Sequence, residues 1–237
     1  MSWNPWTGCK RKSEGCLYCY YYGVYSKHQQ NNIIRADDKE FYKPLYKDYK
    51  ILATCFKSDF FLEEADTYRY QAWSIIKQKP NTTFLFLTKR IERFYESLIE
   101  DYDFNNVRIG CSVENQKEIN NRLPIYVNLP IKHKWIVCAP LLEKVDLTPY
   151  LSKVECVVVG GETGKDARIL DFDYVLDIRQ QCINSNISFQ FRSTGTNFKK
   201  EGIIKKINPF LQAKTAKELN INITLNDVDI IFNRSNE

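Results

Sequence analysis

The sequence predicts an α/β fold, an open or partial (β/α) barrel with about six parallel strands, and three observations support this prediction. Short β-rich apolar runs alternate with longer segments of helical periodicity, which implies parallel strands joined by right-handed crossovers. The run at residues 83–87 is apolar without interruption, as expected of a strand covered on both faces. The chain has 237 residues, of which 43% are hydrophobic, so it suits a single barrel domain.

The predicted elements follow one another in a regular order. Strands are predicted at residues 51–56, 83–87, 107–111, 134–138, 154–159 and 187–191. Helices are predicted at residues 17–30, 62–77, 91–99, 115–123 and 172–185. Only eight residues precede Cys9, so a first strand before it is predicted to be very short or absent, which leaves an open seam. We therefore expect a partial barrel over residues 1–198.

Residues 199–237 are predicted to form a basic carboxyl-terminal extension. Apolar and polar residues alternate at 221–225 and again at 228–232, which favours a hairpin through Asn226 and Asp227. Six lysines lie between residues 198 and 217, against the single acid Glu201. This local charge either meets nucleic-acid phosphates or covers a solvated helix face. The net charge of the whole chain, +5, does not decide between the two.

The amino-terminal loop concentrates the cysteines. Cys9, Cys16 and Cys19 are three of the eight cysteines and fall within eleven residues. The Cys-x-x-Cys spacing of the last two lets both thiolates turn toward one metal centre, and Cys9 adds a third. A structural zinc site needs four protein ligands, and the nearest candidate, His28, lies nine residues beyond Cys19. A four-iron cluster held by three cysteines instead leaves one iron free, which is a catalytic arrangement.

The residues around these cysteines suit a charged cofactor. Tyr18 immediately precedes the last cysteine, where its ring would lie against an adenine. Lys10, Arg11 and Lys12 favour thiolates and would offset cluster charge. The remaining five cysteines mostly lie in apolar strand-like or helical runs, where a reduced thiol packs as a small hydrophobe, so disulfides are not expected.

Polar residues follow each predicted strand, although the strands themselves are apolar. Parallel barrels carry their chemistry at the carboxyl ends of their strands, so we expect these residues to form one cavity mouth. They are Lys57, Ser58, Asp59, Thr88, Lys89, Arg90, Ser112, Glu114, Asn115, Gly160, Gly161, Glu162, Arg192 and Ser193. Lys89 and Arg90 suit a carboxylate or a phosphate, or else begin the next helix as solvated cations. Glu114 and Asn115 alternatively cap a helix.

Gly160, Gly161 and Glu162 form a separate motif after a valine-rich strand. Two glycines allow a ligand to approach the backbone, and Glu162 would accept a hydrogen bond from an ammonium group or a ribose hydroxyl. The same residues also fit a tight strand-to-loop turn that ends in an exposed acid. The sequence leaves both interpretations open.

These motifs resemble the radical S-adenosylmethionine (SAM) superfamily. The chain resembles more closely a phage- and mobile-element-associated branch of uncharacterised proteins, related to spore photoproduct lyase, that open with Trp-Asn-Pro-x-Thr-Gly-Cys. The resemblance includes residues 87–90, 111–115, 140–142, 145–146 and 159–164, and so covers most of residues 3–198. The usual loop of the superfamily has three residues between its first two cysteines, whereas six separate Cys9 from Cys16.

The resemblance implies a [4Fe-4S] cluster on Cys9, Cys16 and Cys19, bound SAM and a reducing electron donor. Most members hold the amino group of SAM with a Gly-Gly-Glu motif after the second strand. In this chain the motif follows a late strand, so Asp59, after the first recognisable strand, becomes a candidate for that role. The relatives also often have a glutamate where this chain has Ala139.

Three functional hypotheses follow. The first is a radical SAM enzyme that removes a hydrogen atom from an unknown substrate, with nucleic acid as one candidate. The second is a zinc-stabilised nucleic-acid-binding module without redox activity, and the third is a scaffold that has lost SAM binding. No apolar run approaches the roughly 18–20 residues that span a membrane, so we expect a cytoplasmic protein without a membrane partner.

Overall fold

The computed structural model of the protein describes residues 1–24, 32–96 and 98–225. All six predicted strands are confirmed, and short strands are added to them. In chain order the strands are β1 (Ser2–Trp3), β2 (Trp6–Thr7), β3 (Ile34–Arg35), β4 (Ile51–Thr54), β5 (Thr83–Thr88), β6 (Val107–Ser112), β7 (His133–Cys138), β8 (Cys156–Gly160), β9 (Ile169–Asp171), β10 (Ser188–Ser193), β11 (Asn197–Lys200) and β12 (Ile203–Lys206).

A seven-stranded sheet organises the molecule, with the order β1-β4-β5-β6-β7-β8-β10. Every neighbouring pair is parallel, which confirms the predicted α/β fold class. The strand that the structure adds to the six predicted ones is β1, which has two residues and pairs Trp3 with Thr54 of β4. The first strand is therefore very short, as the sequence predicted. The end strands β1 and β10 do not pair with each other in the described part of the chain, so the sheet is open.

Four of the five predicted helices are found at their predicted positions. The α-helices are Tyr20–Val24, Asp38–Phe41, Lys43–Tyr46, Asp66–Lys77, Gln116–Tyr126, Phe172–Asn184 and Gln212–Glu218. The predicted helix at 17–30 is found at its centre, and residues 25–30 lie outside the described residues. The predicted helix at 91–99 is wrong, because the described residues there form only the 3₁₀ turn Ile91–Arg93. Asn115 caps the helix after β6 by accepting a hydrogen bond from the Glu118 N–H at 2.9 Å.

The core lies on both faces of the main sheet because side chains of a strand alternate between faces. The larger cluster lies on the face where the helices pack against the sheet. There the rings of Phe60 and Phe86 stack with their centroids 4.3 Å apart, and the Trp73 ring meets each of them edge to face. A smaller cluster around Trp135 and Val158 lies on the other face. No helix in the described residues is long and apolar enough to cross a membrane.

Two smaller pairings complete the fold. A three-stranded sheet with the order β12-β11-β9 projects beyond β10, and β2 pairs with β3. Outside β10, the backbones of Phe189 and Ile223 exchange hydrogen bonds of 2.8 and 2.9 Å. Residues 221–225 thus run antiparallel along the last strand, whereas the predicted hairpin turn at Asn226 and Asp227 lies outside the described residues.

Candidate functional site

The candidate site is formed by the cysteine loop, residues 8–19, which lies over the carboxyl ends of several strands. The Ser58 hydroxyl, after β4, donates a hydrogen bond to the Gly8 carbonyl. Arg90, after β5, donates to the Lys10 carbonyl at 2.6 Å. The loop is therefore placed at the edge of the sheet where parallel α/β proteins carry their chemistry.

The three loop thiols lie near one another. Cys16 is buried, and Cys9 and Cys19 are half-buried. Burial raises the pKa of Cys9 to about 12, and Asp59, Cys16 and Cys19 add to this rise. Burial also raises the pKa of Cys19, with a further contribution from Cys16. Thiols this desolvated are ionised by a bound metal centre, and thiolates are the ligands of iron–sulfur clusters, so the donor set fits such a cluster. Among the described residues, no group of three or more His, Cys, Asp or Glu side chains is positioned so that it could hold a single metal ion.

The first of three ion pairs beneath the loop joins Asp59 and Arg90. Both side chains are buried, and a guanidinium nitrogen lies 3.2 Å from Asp59 Oδ2. Asp59 also accepts hydrogen bonds from the Thr88 hydroxyl at 2.7 Å and from the Lys89 N–H at 2.9 Å. The other terminal nitrogen of Arg90, Nη2, donates a hydrogen bond to the Lys10 carbonyl of the loop. The pair therefore connects the ends of β4 and β5 to the loop.

The second pair joins Glu114 and Arg122, which are 1% and 4% exposed at their side chains and 3.0 Å apart. The free Oε1 of Glu114 accepts a hydrogen bond from the Gly15 N–H at 2.9 Å. Burial alone would raise the pKa of Glu114, but the neighbouring Ser13 hydroxyl, together with the charges of Lys89 and Arg122, holds it below its usual value. A side chain at position 15 would collide with this carboxyl group, because a Cβ there would lie 2.9 Å from Cδ of Glu114.

The third pair joins Glu162 and Arg168, at the end of β8. Arg168 contacts both carboxylate oxygens of Glu162, at 2.5 and 2.9 Å. It also donates to the Glu14 carboxylate at 3.0 Å and to the Glu14 carbonyl at 3.1 Å. The Tyr18 ring lies 5.4 Å from the same guanidinium, within cation–π range. Arg168 therefore ties two residues of the cysteine loop to a late strand.

The three pairs share one design. In each, one charged side chain is held by a partner of opposite charge and presents a remaining group to the backbone of the cysteine loop. Asp59, Arg90 and Glu162 were predicted from the sequence as cofactor contacts, and the structure places all three in these pairs. Arg122 and Arg168 were not identified from the sequence. Arg122 follows Glu114 by eight residues, a spacing that would separate the two by about 12 Å along one helix, so no local pattern indicated this pair.

The two glycines of the Gly160-Gly161-Glu162 motif have different surroundings. A Cβ on Gly161 would lie 2.5 Å from the Thr194 carbonyl oxygen and 2.9 Å from the Gly195 Cα, whereas one on Gly160 would make only ordinary contacts. Gly161 is thus required where the loops after β8 and β10 cross. This close approach is between two backbones of the chain, as in the strand-to-loop turn interpretation.

Lys89 is a cation of the mouth that takes no part in these pairs. Its backbone N–H is bonded to Asp59, but no acidic partner lies within 4 Å of its ammonium group among the described residues. Its charge partly offsets the rise in the pKa of Cys19 and helps to lower the pKa of Glu114, so the ammonium lies near both groups. A separate cavity of about 540 Å³, lined by Lys77, Pro80 and Asp103 among others, lies at the opposite end of the sheet.

The fold and the loop together define an α/β protein with a three-cysteine loop over the carboxyl edge of an open parallel sheet. The chain belongs to the family described as protein of unknown function (DUF5131), whose model matches residues 1–224. A spore photoproduct lyase variant, solved with a dinucleoside spore photoproduct, is similar with a TM-score of 0.46 and 14% identity, covering 91% of this chain and 69% of that one. A second variant gives a TM-score of 0.44 and 12% identity, covering 90% and 69%. No curated protein matches the chain.

Proposed function

We propose that the chain is a radical SAM enzyme whose [4Fe-4S] cluster is held by Cys9, Cys16 and Cys19. The observation that carries the proposal is the anchoring of a three-thiol loop to the carboxyl edge of a parallel sheet by three buried or half-buried ion pairs. When bound, the cluster and SAM would supply the one-electron chemistry that generates a hydrogen-abstracting radical. The reaction also needs a reducing electron donor, and eight free thiols suit a reducing compartment such as the cytoplasm.

The residues of the mouth would divide two tasks between them. Arg90, Glu114 and Arg168 would fix the loop backbone, because their charged groups are already bonded to it. Lys89 would hold the carboxylate of SAM, since its ammonium lies near Cys19 and has no acidic partner within 4 Å among the described residues. Tyr18 would cover the adenine ring from the rim, where its side chain is partly exposed.

The predicted contacts of Asp59 and Glu162 with SAM need an adjustment. Each carboxylate is bonded to an arginine, so an ammonium group of a ligand would have to share it or replace that arginine. Asp59 is buried and accepts four hydrogen bonds, which favours a role in positioning Arg90. Glu162 is as buried as Asp59, but its partner Arg168 is 24% exposed, against 9% for Arg90, so an incoming cation would displace Arg168 more easily.

Anaerobic reconstitution with iron and sulfide tests the proposal. The wild-type chain should bind about four irons and four sulfides, and reduction in the presence of SAM should yield 5′-deoxyadenosine. Cys16→Ala should lose the cluster and the product together. The matched control is Cys156→Ala, which removes a buried thiol at the opposite end of β8 and should keep both.

Two results would contradict the proposal in different ways. Stoichiometric zinc without iron and sulfide would favour the zinc-stabilised module. A complete cluster that produces no 5′-deoxyadenosine would favour a scaffold that has lost SAM chemistry.

A further inference from the structure

A basic arm, residues 197–218, projects beside the candidate site. It consists of the hairpin β11–β12, a turn and the helix Gln212–Glu218. The hairpin is anchored by Phe198, which is buried with its ring 5.5 Å from that of Phe172. The helix is anchored by Gln212, whose amide groups bond Thr163 at 2.6 Å and Thr196 at 3.2 Å.

The arm begins next to the cysteine loop. Strand β11 pairs in parallel with β9, with Asn197 opposite Ile169. Ile169 directly follows Arg168, which bonds Glu14 of the loop. The Asn197 side chain also donates to the Ala167 carbonyl at 2.5 Å. A linear molecule bound along the arm would therefore pass beside the site.

The outer strand of the hairpin is unusually exposed. All four residues of β12 are exposed, and β12 is an edge strand with β11 as its neighbour. Lys205 and Lys206 are adjacent on this strand, so they point to opposite faces of it. In the described part of the chain, no acid lies within 4 Å of the ammonium groups of Lys205, Lys206 or Lys217. Positive charge thus surrounds this edge and continues onto the helix.

A single aromatic ring is presented between the hairpin and the helix. Phe210 is 94% exposed, more than any other large hydrophobic side chain in the described residues. Its backbone N–H is bonded to the Asn208 side chain at 3.0 Å, and the Leu211 N–H bonds the Asn208 carbonyl at 2.8 Å. The turn that displays the ring is therefore ordered by its own hydrogen bonds.

We propose that the basic arm binds single-stranded nucleic acid, with its lysines at the phosphates and the Phe210 ring stacked on a base. Lysines that track a backbone, together with an exposed aromatic ring, are the features by which proteins hold single strands. A membrane surface fits less well, because Ile203 and Ile204 are adjacent on β12 and point to opposite faces, so they cannot enter one bilayer together. That the bound strand is the substrate rests on the proposed radical function, whereas the binding itself does not.

Fluorescence anisotropy with the full chain and a labelled oligothymidylate of about 16 nucleotides tests the proposal without reductant or SAM. Wild-type binding should weaken steeply between about 50 and 200 mM salt. Lys205→Ala/Lys206→Ala should lower the slope of log K against log salt by about 1.4, since each phosphate contact on a single strand contributes about 0.7. Phe210→Ala should weaken binding at least about fivefold and leave this slope unchanged.

Matched variants keep the test specific. Lys132→Ala/Lys153→Ala removes two exposed lysines from the opposite edge of the sheet, and Tyr46→Ala removes another exposed ring; both should bind as the wild type does. All variants should unfold at the wild-type temperature because the substituted side chains are exposed.

Three results would overturn the proposal: equal losses in the control variants, no loss in the arm variants, or binding to anionic phospholipid vesicles in place of the oligonucleotide. None of these depends on 5′-deoxyadenosine formation, so failure here is distinguishable from failure of the radical chemistry.

Discussion

The cysteine loop and the basic arm both extend from the carboxyl edge of one sheet, but they use charge in opposite ways. Beneath the loop, charged side chains of three strand ends are paired within the protein and fix its backbone. Along the arm, Lys205 and Lys206 of β12 and Lys217 of the following helix have no acidic partner within 4 Å among the described residues. Paired charges hold a geometry in place, whereas unpaired charges are available to a partner.

The largest effect is expected from breaking the most buried pair. Glu114→Ala would remove the more buried of the two carboxylates that pair with Arg122, and with it the acceptor of the Gly15 N–H. Loss of one member of a buried ion pair costs about 3–5 kcal/mol. Urea unfolding should show a decrease of this size in the free energy of unfolding.

Glu118→Ala is the matched control for that prediction, because Glu118 lies 2.7 Å from the same arginine but is more exposed and has no contact with the loop. It should cost clearly less than Glu114→Ala, because Arg122 keeps Glu114 as its partner and the Gly15 N–H keeps its acceptor. Equal effects of the two substitutions would mean that burial of Glu114 does not decide the energetics.

A smaller and more local effect is expected at Arg168. Arg168→Ala removes hydrogen bonds to Glu14 and Glu162, and hydrogen bonds to charged groups contribute about 1–3 kcal/mol. Amide hydrogen exchange should become faster at residues 13–17 while exchange in the central strands stays unchanged. Lys165→Ala, three residues away, removes an exposed cation and should leave exchange in the loop as it is; slow exchange in both variants would show that Arg168 does not hold the loop.

The smallest effect concerns the base of the arm and depends on pH. A hydrogen bond from Lys199 at 2.8 Å lowers the pKa of Asp171 below its usual value. A lowered folded pKa stabilises the protein above the unfolded pKa of about 3.9, and this contribution is lost as pH falls through the folded value. Asp171→Asn keeps a good helix cap and removes the charge. The wild type should therefore be the more stable at pH 7, and the difference should shrink below about pH 4 in unfolding experiments; a difference independent of pH would contradict this.

Much of the fold was predictable because apolar runs such as residues 83–87 and 154–159 have no good alternative to a buried strand. The wrong helix at 91–99 has a physical reason. Ile91 and Phe94 are both buried and three residues apart, a spacing that a 3₁₀ turn satisfies as well as an α-helix does. The hairpin β11–β12 was missed because its lysines mask any apolar alternation, although Glu201 and Gly202 form its two-residue turn with positive φ at both positions.

The candidate site was predictable only in part. Local spacing identified Cys9, Cys16 and Cys19 as possible ligands, and that role stays a prediction. The contact of Arg168 with Glu14 joins residues 154 positions apart, and no local pattern in one sequence encodes such a pairing. Glu114 was recognised as a polar residue after a strand, but its contact with Gly15 depends on how the loop folds back over the sheet.

The pairing of residues 221–225 along β10 affects how the chain can be shortened. The Asn222 side chain accepts a hydrogen bond from the Phe191 N–H at 2.7 Å, and Ser188 bonds both backbone groups of Leu225 at 2.9 Å. A fragment that ends before residue 221 would leave β10 as a bare edge, ready to add a strand from another molecule. Such fragments are expected to aggregate, so expression trials aimed at crystals should retain this segment.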